Sequence, residues 1–309
     1  MHTTPGSRTS TEALRRRRAL AERVLERNRL RAPASTANVA RNARADADRH
    51  ARWRPARDAL WELLDVQLTG TERVAVVGAG NGDDLPLGRL AARVREVVLV
   101  DLDATAAGRA RRRRPRRERQ AIRVVEHDVT LGAADAIAIA AAARGDLPDA
   151  PPVPEAPLPG APYDLVIGDL LYSQLLYPAL VDLGVGEARR RAVLGRCGPA
   201  LTRAVVSRLH ASAPHGRVAH LHDPLGWWPG HSQPVGLDQI LAVAERDCEA
   251  ALRLTARGKG PREWDPRRAL AALAIPLRQV ALWRWPFAAD VDYLVSATLA
   301  ETPGAGASA

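Results

Sequence analysis

Val74-Ala75-Val76-Val77-Gly78-Ala79-Gly80-Asn81-Gly82-Asp83-Asp84 is the stretch on which the fold turns. Four apolar residues stopped by a glycine read as a short strand buried on both faces, the mark of a parallel sheet. The glycines after it allow positive φ and let backbone approach a ligand closely. Alone, the same motif also fits a tight strand-to-helix turn. Downstream the texture repeats. Asp84 to Val94 reads as a helix, with Pro86 tolerable in its first turn. Val97 to Val100 is a second strand, stopped by Asp101, and residues 104–120 form a basic helix interrupted or bent at Pro115. Ile122 to Val125 is a third strand ending near Asp128, and residues 132–144 are an Ala-rich helix. Residues 147–162, rich in proline from Pro148 to Pro162, form a stiff extended insert. Leu165 to Gly168 is a fourth strand ending at Asp169, and residues 174–209 carry two or more helices. Val218 to Leu221 is a fifth strand ending at His222-Asp223-Pro224. Residues 237–254 read as one helix, and the runs Val280–Trp285 and Val291–Thr298 as a terminal antiparallel hairpin.

Upstream, Thr11 to Arg31 reads as a helix, and residues 32–50 show no clear period. Trp53, Ala56, Leu60, Trp61, Leu64 and Leu68 have the spacing of an amphipathic helix whose aromatic stripe suits core packing. The expected organisation is an N-terminal helical extension over 1–70, an α/β domain over 71–300 and a disordered tail over 301–309.

Of 309 residues, 46% are hydrophobic, which excludes a disordered chain and supplies a sizeable core. No apolar run reaches about 18 residues, so no membrane span is expected. The first thirty residues carry Arg15–Arg18 with no apolar stretch behind them, unlike a secretory signal. Cys197 and Cys248 are the only cysteines, which excludes a disulfide scaffold and a cysteine zinc site and points to the cytoplasm. Lys259 is the only lysine among 45 basic residues, a bias expected of GC-rich, bacterial coding. That bias does not explain the net charge of +10, which favours polyanions such as nucleic acid, or acidic small molecules. The clusters Arg15–Arg18, Arg111–Arg117 and Arg189–Arg191 equally fit solvated helix faces, and no aromatic residues are interleaved to stack on bases.

Strand and helix in alternation imply a doubly wound parallel sheet, in which ligands sit beyond the carboxyl ends of the strands. A dinucleotide-binding turn wants Gly-x-Gly-x-x-Gly, yet here the third glycine comes one residue early. Asp83 and Asp84 follow it and would repel a pyrophosphate, while suiting a cationic ligand without phosphate. Asp101 can accept the two hydroxyls of a ribose. Asp128 with Val129 can meet an adenine amino group and ring. Asp169 ends the fourth strand. Singly, each acid also fits a cap or a turn.

With the glycine turn and three acids at four successive strand ends, residues 73–225, and on to 298, resemble the class I S-adenosylmethionine-dependent methyltransferases. Gly78, Gly80 and Gly82 match that family's glycine loop, Asp101 its ribose acid, Asp128 and Val129 its adenine-side pair, and Asp169 the acid opening its fourth-strand loop. The resemblance implies an α/β, doubly wound Rossmann-like, mostly parallel seven-stranded sheet with a terminal antiparallel hairpin. It also implies S-adenosyl-L-methionine as cofactor and methyl transfer to an unidentified acceptor. Val76 stands where the family usually has an acid near the methionine amino group, and Asp83, Asp84 or Asp169 are the available substitutes. Asp169-Leu170-Leu171-Tyr172 lies where amino-methylating enzymes carry Asp-Pro-Pro-Tyr, which makes Asp169 and Tyr172 candidate catalytic residues. With both prolines replaced, the segment fits the start of a packed helix better. His222 is a candidate general base, and Trp227-Trp228 a candidate substrate wall. Tyr163, Tyr177, Trp283 and Trp285 read as structural. His210, His215, His220, His222 and His231 are dense but lack acid ligand spacing, so no metal is expected. Two alternatives stay open: an aminopropyltransferase-like enzyme using the decarboxylated cofactor, and a non-catalytic nucleic-acid-binding protein on the same fold.

Overall fold

The computed structural model describes residues 31–44, 47–143, 145–260 and 262–302. The expected helix at Thr11–Arg31, the Arg15–Arg18 cluster and most of the expected tail lie outside them.

Alternation along the buried strands builds the molecule. On β1 (Arg73–Val77), β2 (Glu96–Asp101) and β4 (Leu165–Gly168), Ala75, Val77, Val98, Val100 and Val166 join one core. Val74, Val76, Val97, Leu99, Leu165 and Ile167 join the other. Successive side chains point to opposite faces, so an unbroken apolar run needs cover on both. The first core is closed by α7 (Ala133–Ala142) and α9 (Glu187–Ala211), the second by α3 (Arg54–Asp65) and α4 (Leu87–Arg93).

With β3 (Ile122–Glu126), β5 (Arg217–Trp227), β6 (Leu277–Ala288) and β7 (Val291–Glu301), the sheet has seven strands in the order β3-β2-β1-β4-β5-β7-β6. The first five are parallel and β7 runs antiparallel between β5 and β6. This is the mostly parallel seven-stranded sheet with a terminal antiparallel hairpin that the resemblance implies. The switch in strand order lies between β1 and β4, where such sheets open a crevice.

The basic segment after β2 breaks at Pro115 into α5 (Ala104–Arg112) and α6 (Arg116–Gln120), as expected. Two expectations are corrected. β5 does not stop at His222: it continues to Trp227 through a bulge where its register on β7 slips between His222 and Leu225. Pro224 sits in that slip, where a missing N–H costs no ladder bond. The helix at 237–254 is two, α10 (Leu237–Ala244) and α11 (Cys248–Thr255), because the Asp247 carboxylate caps a fresh start at the Ala250 N–H. α12 (Pro266–Ala272), capped by Asp265 on the Arg267 N–H, carried no period strong enough to be read.

The chain ahead of β1 is part of the packing. α1 (Pro33–Ala43) lies against α7 and α8 (Tyr177–Asp182), and α2 (Arg49–Arg52) and α3 lie against β6. No helix among the described residues is long and apolar enough to cross a membrane.

Glu72 anchors the entry to β1. Its carboxylate accepts from the Thr69 N–H at 2.5 Å, the Thr69 hydroxyl at 2.6 Å and the Gly70 N–H at 2.8 Å. Burial pushes its pKa up, but these bonds outweigh burial and hold it at about 2. A folded pKa below the unfolded one gives stability present in full above about pH 4.5 and lost as pH falls toward 2. Glu72→Gln is therefore expected to lower stability by about 2–3 kcal/mol at pH 7. Thermal melts at stepped pH should show that gap closing between pH 4.5 and 2.

Candidate functional site

A cavity of about 520 Å³ opens where β1, β2, β3 and β4 end, within the range of small-molecule sites. Its floor is the loop 78–82. Gly78 takes φ +84°, and a Cβ there would stand 2.9 Å from the Asp169 carbonyl and 3.0 Å from the Leu171 Cβ. The glycine thus lets the β1 and β4 loops lie against each other. The Gly80 N–H donates to Asp101 Oδ2 at 2.8 Å, and the Asp103 N–H to Asp101 Oδ1 at 2.7 Å. Each Asp101 oxygen keeps a further lone pair. Burial raises the Asp101 pKa, opposed by those two N–H donors.

Asp128 and Val129 line the same cavity. The Asp128 carboxylate is largely committed to its own loop: it accepts from the Thr130 N–H (2.7 Å), the Thr130 hydroxyl (2.8 Å) and the Gly132 N–H (2.5 Å). Arg208, buried on α9, holds this loop from below, donating to the Val129 and Ala156 carbonyls. Nothing local in the sequence marks Arg208, because its partners are about 50 and 80 residues away.

The three candidates for the acid missing at Val76 separate cleanly. Asp83 is spent on cations: Arg49 Nη2 lies 2.8 Å and Arg113 Nη1 3.0 Å from its carboxylate. Asp84 and Asp169 both line the cavity. Asp169 is 3% exposed and neither of its oxygens has a hydrogen-bond partner. Burial pushes its pKa well above the usual carboxylate range, and the charges of Asp84 and Asp101 push it further. Burial, with Asp83 beside it, raises Asp84 to about 6 against the pull of Arg49 and Arg57.

Two catalytic candidates are corrected. Tyr172 does not line the cavity, although its neighbours Leu171, Ser173 and Gln174 do. Its short 3-10 turn (Tyr172–Gln174) points the phenol into the core, 1% exposed, against His220 Nδ1. The contact continues from His220 Nε2 to His210 Nε2 at 3.1 Å, and from His210 Nδ1 to the Thr302 hydroxyl at 3.0 Å. Burial drops His210 to about 4 and His220 well below its usual value, so both rings are neutral near pH 7. His222 is also outside the cavity. Its Nδ1–H donates to the Ser296 carbonyl at 3.2 Å and its Nε2 faces Asp265 at 3.5 Å. Burial lowers its pKa to about 4. The next residue, Asp223, lines the cavity instead, turned there by the bulge in β5.

The aromatic wall is also displaced from its expected place. Trp228 stacks on His231 at 3.9 Å, and neither it nor Trp227 lines the cavity. Trp53, Trp285 and Phe287 do. Trp53 meets Trp285 edge-on at 4.7 Å and stacks on Phe287 at 5.7 Å. The stripe assigned to core packing meets the hairpin only in three dimensions, so its spacing could not reveal a wall. The Arg111–Arg117 cluster is partly structural: Arg111 donates to the Arg119 and Ile122 carbonyls, and Arg113 pairs with Asp83. Among the described residues, no group of three or more His, Cys, Asp or Glu is placed to hold a metal ion.

Neither a protein-family model nor a curated protein sequence matches this chain. Solved structures do resemble it. A SAM-dependent methyltransferase from Aquifex aeolicus shares 14% identity at a TM-score of 0.40, over 82% of this chain and 93% of the other. Magnesium protoporphyrin IX methyltransferase from Synechocystis, solved with bound S-adenosylhomocysteine, shares 15% at 0.38, over 80% and 82%. A TehB-like SAM-dependent methyltransferase from Corynebacterium glutamicum shares 12% at 0.34, over 77% and 86%. At these identities and TM-scores the likeness carries no argument about this chain, and the case for function rests on the cavity's own residues.

Gly78→Ala combines left-handed backbone with a clash, whereas Gly184, at φ +71°, has nothing within 4 Å of a built Cβ. Positive φ alone costs a non-glycine residue about 1–2 kcal/mol. Gly184→Ala should lose about that much, and Gly78→Ala clearly more, in paired denaturant melts.

Proposed function

We propose that this chain is an S-adenosylmethionine-dependent methyltransferase whose acceptor is a small molecule or a macromolecule. The observation that carries the reading is Asp169: a nearly sealed carboxylate with both oxygens unpartnered, beside Asp84, whose pKa burial raises against the pull of Arg49 and Arg57, in a cavity whose opposite side offers Asp101. Buried charge without a partner is costly, so such a pair suits a ligand that brings a cation of its own. A dinucleotide fits poorly, because its pyrophosphate would meet these acids.

The donors match a nucleoside with a cationic tail. Asp101 would take the ribose hydroxyls through its free lone pairs, and the 78–82 loop would lie under the sugar. Val129, with what remains of Asp128, would meet the adenine. Asp84 and Asp169 would share the ammonium, doing the work of the acid absent at Val76. When bound, the cofactor supplies an electrophilic methyl group on a sulfonium, so the protein's part is to orient the partners and exclude water. The cavity needs no metal for this. The excess of arginine over lysine and the free Cys197 and Cys248 support a bacterial, cytoplasmic setting.

Calorimetric titration with S-adenosylhomocysteine and S-adenosylmethionine tests the reading, which falls if neither binds. Asp101→Ala is expected to weaken binding by about 1–3 kcal/mol, the usual loss when buried hydrogen-bonding groups go unpaired. Unchanged affinity with the fold intact would remove Asp101 from its role. Because burial places the Asp84 proton near pH 6, affinity should fall as pH is lowered through about 6, where that carboxylate is neutralised. The same titration on Asp84→Asn should show a flatter pH profile.

A further inference from the structure

The cavity is longer than the proposed cofactor site. From Asp128 after β3 to Asp223 on β5 it crosses four strand spacings, roughly 19 Å. Beyond β4 it is lined by Ser173, Gln174, Asp223 and the Trp53–Trp285–Phe287 group. None of these is needed for a nucleoside held by β1, β2 and β3.

Charge is distributed unevenly along that length. Of the cavity's acids, Asp83 is neutralised by Arg49 and Arg113. Asp101 and Asp128 accept backbone N–H groups. Asp84, Asp169 and Asp223 have no ion pair among the described residues. One ammonium cannot compensate all three. Asp223 lies farthest along the strand order from the nucleoside end, and its Oδ1 is buried without a hydrogen-bond partner. Burial raises its pKa to about 6, opposed by the Ser173 hydroxyl. The Trp285 indole N–H is also buried and unpartnered at 8% exposure. Of the arginines on the cavity wall, Arg41 is paired with Asp182 and Arg49 with Asp83, while the exposed Arg44 forms no ion pair among the described residues.

Resting on the methyl-transfer reading, we propose that this end of the cavity is the acceptor subsite and that it takes an arylalkylamine, an aromatic ring carrying a primary amine on a short alkyl arm. Asp223 receives the ammonium and takes one of its protons, so that the freed nitrogen lone pair forms the bond to the methyl carbon as S-adenosylhomocysteine leaves with the sulfur's electron pair, and Trp53, Trp285 and Phe287 cover the ring. A carboxylate beside aromatic rings, with water largely excluded, is the setting in which a protonated amine gains from both charge pairing and cation–π attraction. An anionic or purely apolar acceptor would leave the Asp223 charge uncompensated.

The probe is tryptamine, compared with 3-ethylindole, which has a similar ring and no ammonium. Both are titrated into the full-length protein saturated with S-adenosylhomocysteine. Tryptamine should bind at least about tenfold more tightly, the scale of a charge-assisted hydrogen bond. Asp223→Asn should erase that preference while changing S-adenosylhomocysteine affinity by less than about twofold, as expected of separate contacts. Phe287→Ala, at a residue 39% exposed and so safe for the fold, should weaken both indoles together. Equal affinity for the two indoles, no binding of either, or a tryptamine preference that survives Asp223→Asn overturns the proposal. Should S-adenosylhomocysteine fail to bind the wild type, the methyltransferase reading falls. The two indoles, titrated without it, then decide the amine subsite by the same criteria.

Discussion

The hydrogen bond from the Gly80 N–H to Asp101 joins the first strand's loop to the second strand's tip, and most of the site follows from it. It fixes the height of the loop over the sheet. It also keeps a carboxylate buried where it would otherwise be drawn to solvent. Gly78, one turn earlier, sets the loop against the Asp169 carbonyl, so the acid at the end of β4 faces the acid at the end of β2 across a single hollow. Three strand tips then act as one surface. Their mutual repulsion appears in the raised pKa of Asp169, to which Asp84 and Asp101 both contribute after burial itself. A folded protein tolerates that arrangement only where the strands, packed through Ala75, Val77, Val98 and Val166, cannot move apart.

The central strands were legible because a parallel strand covered on both faces must be apolar throughout, and although one glycine or aspartate ending such a run fits a turn or a cap, four successive strand ends of this kind do not arise from turns alone. The same logic singled out Gly78, Gly80, Gly82, Asp101, Asp128, Val129 and Asp169, all of which line one cavity. It failed where side-chain direction depends on something other than the period of the strand. Asp223 faces the cavity and His222 does not because β5 slips its register, and a bulge leaves no mark beyond Pro224. Tyr172 followed a motif whose prolines are absent. Leucines in their place let the chain enter a 3-10 turn that carries the ring inward.

The residues furthest from legibility are those whose partners are distant in sequence. Trp53 reads as the buried edge of a helix, and it is one, at 4% exposure. It becomes a wall only because the hairpin brings Trp285 and Phe287 against it. The chain ahead of β1 read as a helical extension whose role its sequence left open. Yet Ala34, Asn38, Arg41, Asn42, Arg44 and Arg49 line the cavity, and the Asn42 amide donates to Asp103 at 3.1 Å. Charge pairing explains part of the basic composition in the same way: Arg49, Arg57 and Arg113 converge on Asp83, through its carboxylate or its carbonyl.

The file of groups from Tyr172 through His220 and His210 to Thr302 has an orientation that its two ends decide. The Thr302 hydroxyl can pass its hydrogen to the His210 carbonyl at 3.4 Å, whereas the phenol has no acceptor besides His220 among the described residues. Every hydrogen therefore runs outward: phenol to His220 Nδ1, His220 Nε2–H to His210, His210 Nδ1–H to Thr302. Both tautomers are thereby set without any ionised partner. The row of aligned bonds is a small permanent dipole threaded under the sheet, its positive end toward Thr302. Its electron-rich oxygen lies by Gly168, one residue before Asp169.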